Sequence, residues 1–371
     1  MLHTFMNGLN LDHMPPPPIR KDWRIGAIGS GFIMRDVQLA AYRKLGLNVA
    51  AITNRTIETA HEVAQAYGIP RVYDSYQELI CDPSIEVLDI ALPPDLQPQI
   101  ISEALHHTHI RGILAQKPLA MNYPQARAIV ESCAKAGITL AVNQNMRYDQ
   151  SIRALKTLLN RGDLGEPVLA TIEMRAIPHW QPWLQDYSGL TLAAMSIHHL
   201  DCFRFLFGDP DSVYASARTD PRTKFAHRDG IVLYILEYAN GLRASAWDDV
   251  WAGPVREGAA ADNYIKWRVE GTEGLAHGTI GWPSYPNAVP STIQYSSIRN
   301  PGVWIAPQWS EVWFPDAFGG TMGELLDSLT EGRESKISGR DNLGTLALVD
   351  ACYKSLDEHR PIYIKEITEE P

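Results

Sequence analysis

Residues 25–44 read IGAIGSGFIMRDVQLAAYRK, and the passage from a short apolar run through Gly29-Ser30-Gly31 into a helical pattern over 32–44 is a strand, a tight turn and a helix. Glycines at 29 and 31 let the main chain pass close to a pyrophosphate, whose charge suits the free amides and positive dipole end of a helix. The third glycine of the usual fingerprint is missing, and Met34 stands in its place. Taken alone, the turn is also compatible with an ordinary helix-capping loop, so its meaning depends on the chain beyond residue 44.

That downstream chain alternates regularly. Residues 49–52 form a second buried-strand run, 56–67 an amphipathic helix closed by Gly68, and 87–92 a third run stopped by Pro93 and Pro94. Then come a helix over 95–106, a strand over 110–115, a helix over 124–136 closed by Gly137, and a strand over 138–142. Such alternation predicts a parallel sheet with helices on both faces, and ligands bind outside the carboxyl ends of its strands. Gly29, Pro93, Pro94, Lys117 and Asn143 all fall at that edge. Lys117, between Gln116 and Pro118, carries the clearest chemistry, because a lysine before a proline at a ligand edge is badly placed to be a mere solvated loop residue.

Composition fits a soluble enzyme. With 371 residues and 45% hydrophobic content the chain can build two domains with sizeable cores. No apolar run reaches the length of a membrane span, and residues 1–14 lack the charged start and long apolar core of a secretory signal, so a cytoplasmic protein is expected. A net charge of -10 argues against a nucleic-acid or anionic-membrane partner. Cys81, Cys133, Cys202 and Cys352 are scattered without metal-ligand spacing and read as small core residues, so no metal is expected. Pro15 to Pro18 make a stiff extended arm suited to packing on a neighbouring subunit.

The second half is built differently. β-rich segments over 168–176, 231–238, 242–247 and 264–270 alternate as in an antiparallel sheet with one buried face. A helix over 192–207 interrupts them, and helical patterns over 322–331 and 342–359 close the chain.

Several ordered motifs now coincide: the dinucleotide turn, Lys117-Pro118, Asn143-Gln144-Asn145-Met146-Arg147-Tyr148, His198 and Asp201 three apart in the middle helix, and Gly271-Thr272-Glu273-Gly274. In this order, from about residue 23 to 364, the chain resembles the Gfo/Idh/MocA family of oxidoreductases. The resemblance implies an α/β fold class: an N-terminal Rossmann domain with a parallel sheet, plus a C-terminal α+β domain with a large open, mostly antiparallel sheet. The expected divisions are an arm over 1–22, the dinucleotide-binding domain over 23–147, and a substrate-binding and oligomerisation domain over 148–371. It also implies NAD or NADP as cofactor and sugars, glycosides or cyclitols as substrates, reacting by hydride transfer at a secondary hydroxyl or ketone.

Three departures from the family pattern stand out. The usual Glu-Lys-Pro is Gln116-Lys117-Pro118, which removes a carboxylate beside the lysine and eases its deprotonation. The aspartate usual four residues before the histidine is Ala194, and the small glycine two residues before it is Ser196. The catalytic pair expected here is therefore Lys117 and His198, without the aspartate. Histidine titrates in the range needed to take a hydroxyl proton, and a lysine beside a positively charged nicotinamide can share that proton and stabilise an alkoxide.

Cofactor contacts are expected from Gly29, Ser30, Gly31, Phe32 and Ile33, from Asn54 and Arg55, from Leu92, Pro93 and Pro94, from Gln116 and Lys117, and from Asn145. Thr53, Asn54 and Arg55 offer no acidic grip on the adenosine ribose, so a 2′-phosphate is tolerated, while Asn54 can still bind a ribose hydroxyl and NAD stays open. Nine of the ten tryptophans lie after residue 179, and aromatic faces suit the C–H face of a pyranose. Trp180 and Trp183, in the loop leading to His198, join Arg147, Arg175, His179 and Asp201 as substrate-binding candidates, with Tyr148 and Asp248 behind them. His199 is expected to face away from the substrate.

Three function classes remain open: a sugar or glycoside dehydrogenase, with the 3-position of a pyranose a natural target; a redox-neutral glycoside-cleaving enzyme using the same cofactor; and a non-catalytic sugar or nucleotide sensor. Retention of Lys117 and His198 weighs against the sensor. An open sheet face predicts a homodimer or homotetramer.

Overall fold

A computed structural model describes residues 3–4, 10–176, 182–250, 263–281 and 288–369. By packing, the chain divides into two units. One joins Pro15–Asn145 to Phe314–Leu346, and the other joins Met1–Met14, Met146–Trp313 and Ala347–Pro371.

The first unit holds a six-stranded sheet: β2 (Ile25–Ile28), β3 (Val49–Thr53), β4 (Arg71–Tyr73), β5 (Val87–Ile90), β6 (Gly112–Ala115) and β7 (Thr139–Val142). All pairs are parallel, in the order β4-β3-β2-β5-β6-β7. Ile25, Ala27, Ile52, Val87, Leu88, Ile113 and Leu114 are buried because helices cover both faces, which is why these strands read as unbroken apolar runs. The connecting helices include α1 (Leu39–Leu45), α2 (Ile57–Tyr67), α3 (Tyr76–Cys81), α4 (Gln97–Ala104) and α5 (Tyr123–Ala136). Strand order reverses between β2 and β5, and such a reversal opens the crevice where dinucleotides bind.

Two elements of this unit, β4 and α3, are absent from the sequence reading. β4 is a three-residue edge strand, too short to show a period. α3 did carry a signal, since Ser75 at its N-cap accepts the Glu78 N–H at 3.2 Å and Glu78 stands three residues on.

Residues 314–346 were expected in the second domain and instead pack with the first unit. Gly112 in β6 admits Leu325 and Leu329 of helix Phe318–Glu331 so closely that an added Cβ would meet Leu329 at 2.8 Å. The Val142 N–H of β7 donates to the Ile337 carbonyl at 2.8 Å. The proline arm and the residues after it pack on the same unit. Pro18 touches Gly323, the Ile19 N–H donates to Asp327 at 2.7 Å, and Trp23 Nε1 donates to Thr330 at 3.2 Å.

The second unit holds a ten-stranded sheet in the order β1-β15-β14-β13-β12-β8-β11-β10-β9-β16. These are β1 (His3–Thr4), β8 (Pro167–Ala176), β9 (Ser212–Arg218), β10 (Ile231–Glu237), β11 (Arg243–Val250), β12 (Tyr264–Gly271), β13 (Gly274–Ile280), β14 (Thr292–Ser297), β15 (Trp304–Ile305) and β16 (Ile362–Tyr363). Only β1 with β15 and β8 with β11 pair in parallel. Its inner face packs under α6 (Gln150–Asn160), α7 (Ile197–Phe207) and the end of helix Gly339–Glu358. Along β10, Val232, Tyr234 and Leu236 point in, while Leu233 and Ile235 point out and are about half exposed. Tyr214 and Leu169 extend the same outer apolar face.

The tryptophans divide accordingly. Trp267 and Trp313 are core residues, the former donating from Nε1 to Ser151 at 3.0 Å, while Trp247 lies on the outer face edge-on to Tyr264. Cys81 is exposed, against the expectation that all four cysteines are core, and the other three are buried.

Candidate active site

At the carboxyl edge of β2, Gly29 has φ +104° and its N–H donates to the Thr53 carbonyl at 2.9 Å. An added Cβ there would meet the Ala91 carbonyl oxygen at 2.7 Å, so both backbone conformation and space require glycine. A Cβ on Gly31, by contrast, would meet nothing within 4 Å. The main chain at Gly31 is therefore open to close approach by a ligand. Phe32 and Ile33 lead into a wide π turn, Ile33–Gln38, before α1 begins. Met34, in the place of the third glycine, is wholly buried core.

Asn54, at the end of β3, is drawn into this turn. Its Oδ1 accepts the Ser30 N–H at 3.3 Å, and its Nδ2 donates to Thr59 Oγ1 at 2.8 Å and to the Thr56 carbonyl at 3.1 Å. The carboxamide thus braces the glycine turn instead of standing ready for a ribose. Arg55 is exposed beside it. At the end of β5, Leu92 and Pro93 are half-buried and Pro94 is buried, and Leu92 reaches within 3.2 Å of the Cβ position of Gly29.

At the end of β6, Gln116 Oε1 accepts the Lys117 N–H at 3.0 Å, and Gln116 Nε2 is buried without a protein partner. Lys117 is half-buried, and burial pulls its ammonium down to about 7. Gln116 adds no charge that would hold it up. After β7, Asn143 and Gln144 are buried, and both polar atoms of each side-chain amide find no partner among the described residues. Asn145, also buried, donates from Nδ2 to the Asn143 carbonyl at 3.2 Å. Buried amides without partners are costly unless a ligand meets them, so this end of the sheet is chemically incomplete as protein alone.

In the second unit a π turn, Leu192–Ser196, runs into α7. Ala194 lies in that turn, and His198 comes next on the helix, buried, with its ring edge-on to Trp313 at 6.1 Å. Arg147 and Asp201 are brought together, but to each other: Nε and Nη2 donate to the two carboxylate oxygens at 2.6 and 2.7 Å, deep in the unit. A pair so desolvated ties the turn at Arg147 to α7. His199 is turned into the sheet, where its Nδ1 lies 3.0 Å from Asp248 and the Ser196 hydroxyl donates to the other Asp248 oxygen, all three side chains fully buried.

Arg175 is not brought to this helix. It alternates with the inward Met174 and so points to the outer face, 3.7 Å from Asp249. His179 and Trp180 lie outside the described residues, and of Trp183 only its place in the short turn Pro182–Asp186 is described. Among the described residues no group of three or more His, Cys, Asp or Glu is arranged to hold a metal.

Two family descriptions match the chain: "Oxidoreductase family, NAD-binding Rossmann fold" over residues 23–144 and "GFO/IDH/MocA C-terminal domain" over 152–277. This chain belongs to the Gfo/Idh/MocA oxidoreductases. Curated relatives include the D-apiose dehydrogenase of Paraburkholderia graminis, 27% identical over 94% of this chain and 92% of the relative, and the inositol 2-dehydrogenase of Rhizobium meliloti, 26% identical over 92% and 99%. Among solved structures, an oxidoreductase from Agrobacterium radiobacter in complex with NAD+, L-tartaric acid and magnesium superposes with a TM-score of 0.79 at 26% identity, covering 93% of this chain and 99% of that one. A levoglucosan dehydrogenase in complex with NADH and L-sorbose shares the fold at 20% identity, with a TM-score of 0.77 over the same shares.

The protein is an NAD(P)-dependent oxidoreductase, and its edge residues fit that cofactor. Gly29 makes the tight turn and Gly31 leaves the main chain open for a pyrophosphate, and the amides of Gln116, Asn143 and Gln144, unpartnered among the described residues, are of the kind a nicotinamide carboxamide and ribose can satisfy. Of these, Asn143 and Gln144 open the Asn143–Tyr148 motif of the sequence, and Asn143 also falls at the sheet's carboxyl edge, but neither was placed among the expected cofactor contacts. The remaining family departures, Ala194 and Ser196, sit together in the π turn before His198, and Ser196 has become a donor to Asp248.

Proposed function

We propose that this chain is a dehydrogenase of a sugar, glycoside or cyclitol, acting with NAD or NADP on a secondary hydroxyl or the matching ketone, with Lys117 and His198 handling the hydroxyl proton. The observation that carries the reading is Lys117 itself, a lysine at the carboxyl edge of a dinucleotide-binding sheet whose ammonium burial brings to about 7. A bound nicotinamide supplies the hydride acceptor or donor. Lys117 in its neutral form accepts a hydrogen bond and then a proton from the hydroxyl, and as an ammonium it stabilises the alkoxide. His198 on α7 is the second proton-handling group, since an imidazole changes charge near neutral pH. The names of the full-length relatives, a D-apiose and an inositol dehydrogenase, support a polyhydroxylated substrate.

The proposal extends to assembly and location. A second copy covers the outer apolar face of the ten-stranded sheet, giving a homodimer or homotetramer, and the four unbridged thiols suit a reducing cytoplasm. No helix among the described residues is long and apolar enough to cross a membrane.

The test is incubation of purified protein with NAD+ or NADP+ and a panel of D-apiose, myo-inositol, levoglucosan and simple pyranosides, following both reduced-cofactor absorbance and product mass. Oxidation of at least one member is expected. Silence across the panel, together with no reoxidation of NADH or NADPH by the corresponding ketones, would sink the reading.

A further inference from the structure

Gln97 is the first residue of α4 and has no exposed surface. Its carboxamide is devoted to the turn that carries Lys117. Nε2 donates to the carbonyl oxygens of Gln116 and Pro118, each at 2.9 Å, and Oε1 accepts the Gln116 N–H at 2.7 Å. A primary amide offers two donors and an oxygen with two lone pairs, so both of its donors and one of its acceptor sites are spent on the residues on either side of the lysine. The Lys117 N–H is held in turn by Gln116 Oε1 at 3.0 Å. The main chain around Lys117 is thereby held from α4, an element of separate sequence, in addition to its own Gln116 side chain and the Ile90 carbonyl of β5, which also accepts the Gln116 N–H at 3.0 Å.

We propose that Gln97 is the positioning residue of the Lys117 turn: by fixing the chain on both sides of the lysine it sets where Nζ stands and keeps that nitrogen away from water. The role deepens the reading of Lys117 as a proton-handling group and rests on it. The physical case is direct. A lysine stem has several free torsions, and only a fixed main chain limits the volume its nitrogen can search. Without the Gln97 amide, the Gln116 and Pro118 carbonyls lose this partner and the Gln116 N–H is left with the Ile90 carbonyl alone at 3.0 Å, and such groups recover hydrogen bonds by admitting water or by moving. Either response wets the lysine. Because burial is what brings Lys117 down to about 7, a wetted turn returns it toward the ordinary lysine range.

The experiment needs no substrate. Cofactor-free protein is acetylated with limiting acetic anhydride across a pH series, and the Lys117 peptide is quantified by mass spectrometry. In the wild type the midpoint of reactivity is expected near neutral pH. Gln97→Leu, which removes all three hydrogen bonds, and Gln97→Glu, which keeps the size, removes both donors and adds a negative charge, should each raise the midpoint by at least one pH unit. Affinity for NAD+ by quenching of protein fluorescence should stay within about threefold, which reports that the fold survives; if Gln97→Leu fails that control, the near-isosteric Gln97→Glu decides. An unchanged midpoint in the folded variants overturns the positioning role. With any substrate found by the panel above, kcat of both variants should fall at least tenfold at constant cofactor KM. Full turnover by Lys117→Met would instead overturn the catalytic reading of the lysine and leave the labelling result standing, so the two failures are told apart.

Discussion

A lysine brought by burial to about 7 exists near neutral pH in both charge states, and that gives the proposed chemistry a direction. Oxidation needs the neutral amine as base, so turnover in that direction should rise as pH passes upward through about 7, while reduction, which needs the ammonium, should fall over the same interval. Lys117→Met should abolish this limb and lower turnover roughly a hundredfold, the usual scale for losing general acid–base help, with cofactor affinity retained. His198→Asn should lose a similar factor; normal turnover by that variant would make His198 structural. Ala194→Asp should be tolerated or mildly stimulating, because a carboxylate near His198 favours the imidazolium. At the nucleotide end, replacing Gly31 by a bulky residue should abolish NAD+ binding in calorimetry while the fold survives, since its Cβ direction is open space that the pyrophosphate needs. Lys117 and Gly31 were legible in the sequence because each stands at a strand end beside a residue that shapes the turn. Gln97 owes its interest to what it contacts in three dimensions, which no spacing encodes, whereas Asn143 and Gln144 were legible as part of the Asn143–Tyr148 motif but not as buried amides that find no partner among the described residues. Arg147 and Asp201, read as substrate ligands, pair with each other as two buried opposite charges at bonding distance.

Between elements, β5 and the helix after the glycine turn share a buried carboxyl group. Asp89 in β5 accepts from Tyr42 at 2.7 Å and from Gln38 Nε2 at 2.8 and 2.9 Å, yet burial still pushes it up to about 7. An unfolded aspartate titrates at about 3.9. Its folded value is thus raised, so this group's contribution to stability is greatest at low pH and is lost as pH rises toward 7. Asp89→Asn should therefore raise Tm by roughly 3 °C or more at pH 8 and change it little at pH 5, one kcal/mol being worth about 2–4 °C in a chain of this size class. Gln38 can serve the new amide, because its Oε1 is buried without a partner and a flip presents it to Asn Nδ2. Equal shifts at both pH values would show that Asp89 keeps one charge state between them and would overturn the raised titration. At this scale the sequence was most readable where helices end on Gly68 and Gly137, both left-handed here, and where β strands are doubly buried. It was least readable at β4, α3, α6, β9, β13 and β14, which were not read, while helix Phe318–Glu331 was read only from 322 because Gly319 and Gly320 in its first turn hide its start.

For the whole molecule, the order of motifs along the chain separated two sheets but could not show that residues 314–346 return to the first, since that depends on Gly112 making room for Leu325 and Leu329. Nor could it fix the character of the outer sheet face. Leu169, Tyr214, Leu233 and Ile235 expose apolar surface there and Trp247 lies beside them, whereas Trp267 is core. A continuous face of that kind is rarely left to water in a folded protein. This is the ground for the proposed oligomer, and its test is quantitative. Light scattering at micromolar concentration should give at least twice the 41.4 kDa chain mass. Leu233→Lys with Ile235→Glu places two charges on neighbouring outward positions of β10 without touching the inward Val232, Tyr234 and Leu236, so the double variant should fold with unchanged secondary structure and run as a monomer. If the wild type is already monomeric, the outer face is not the interface and something other than a second copy must cover it. If the double variant keeps its oligomeric mass, the contact lies elsewhere on the chain, and the apolar face of β9, β10 and β11 loses its claim to the interface.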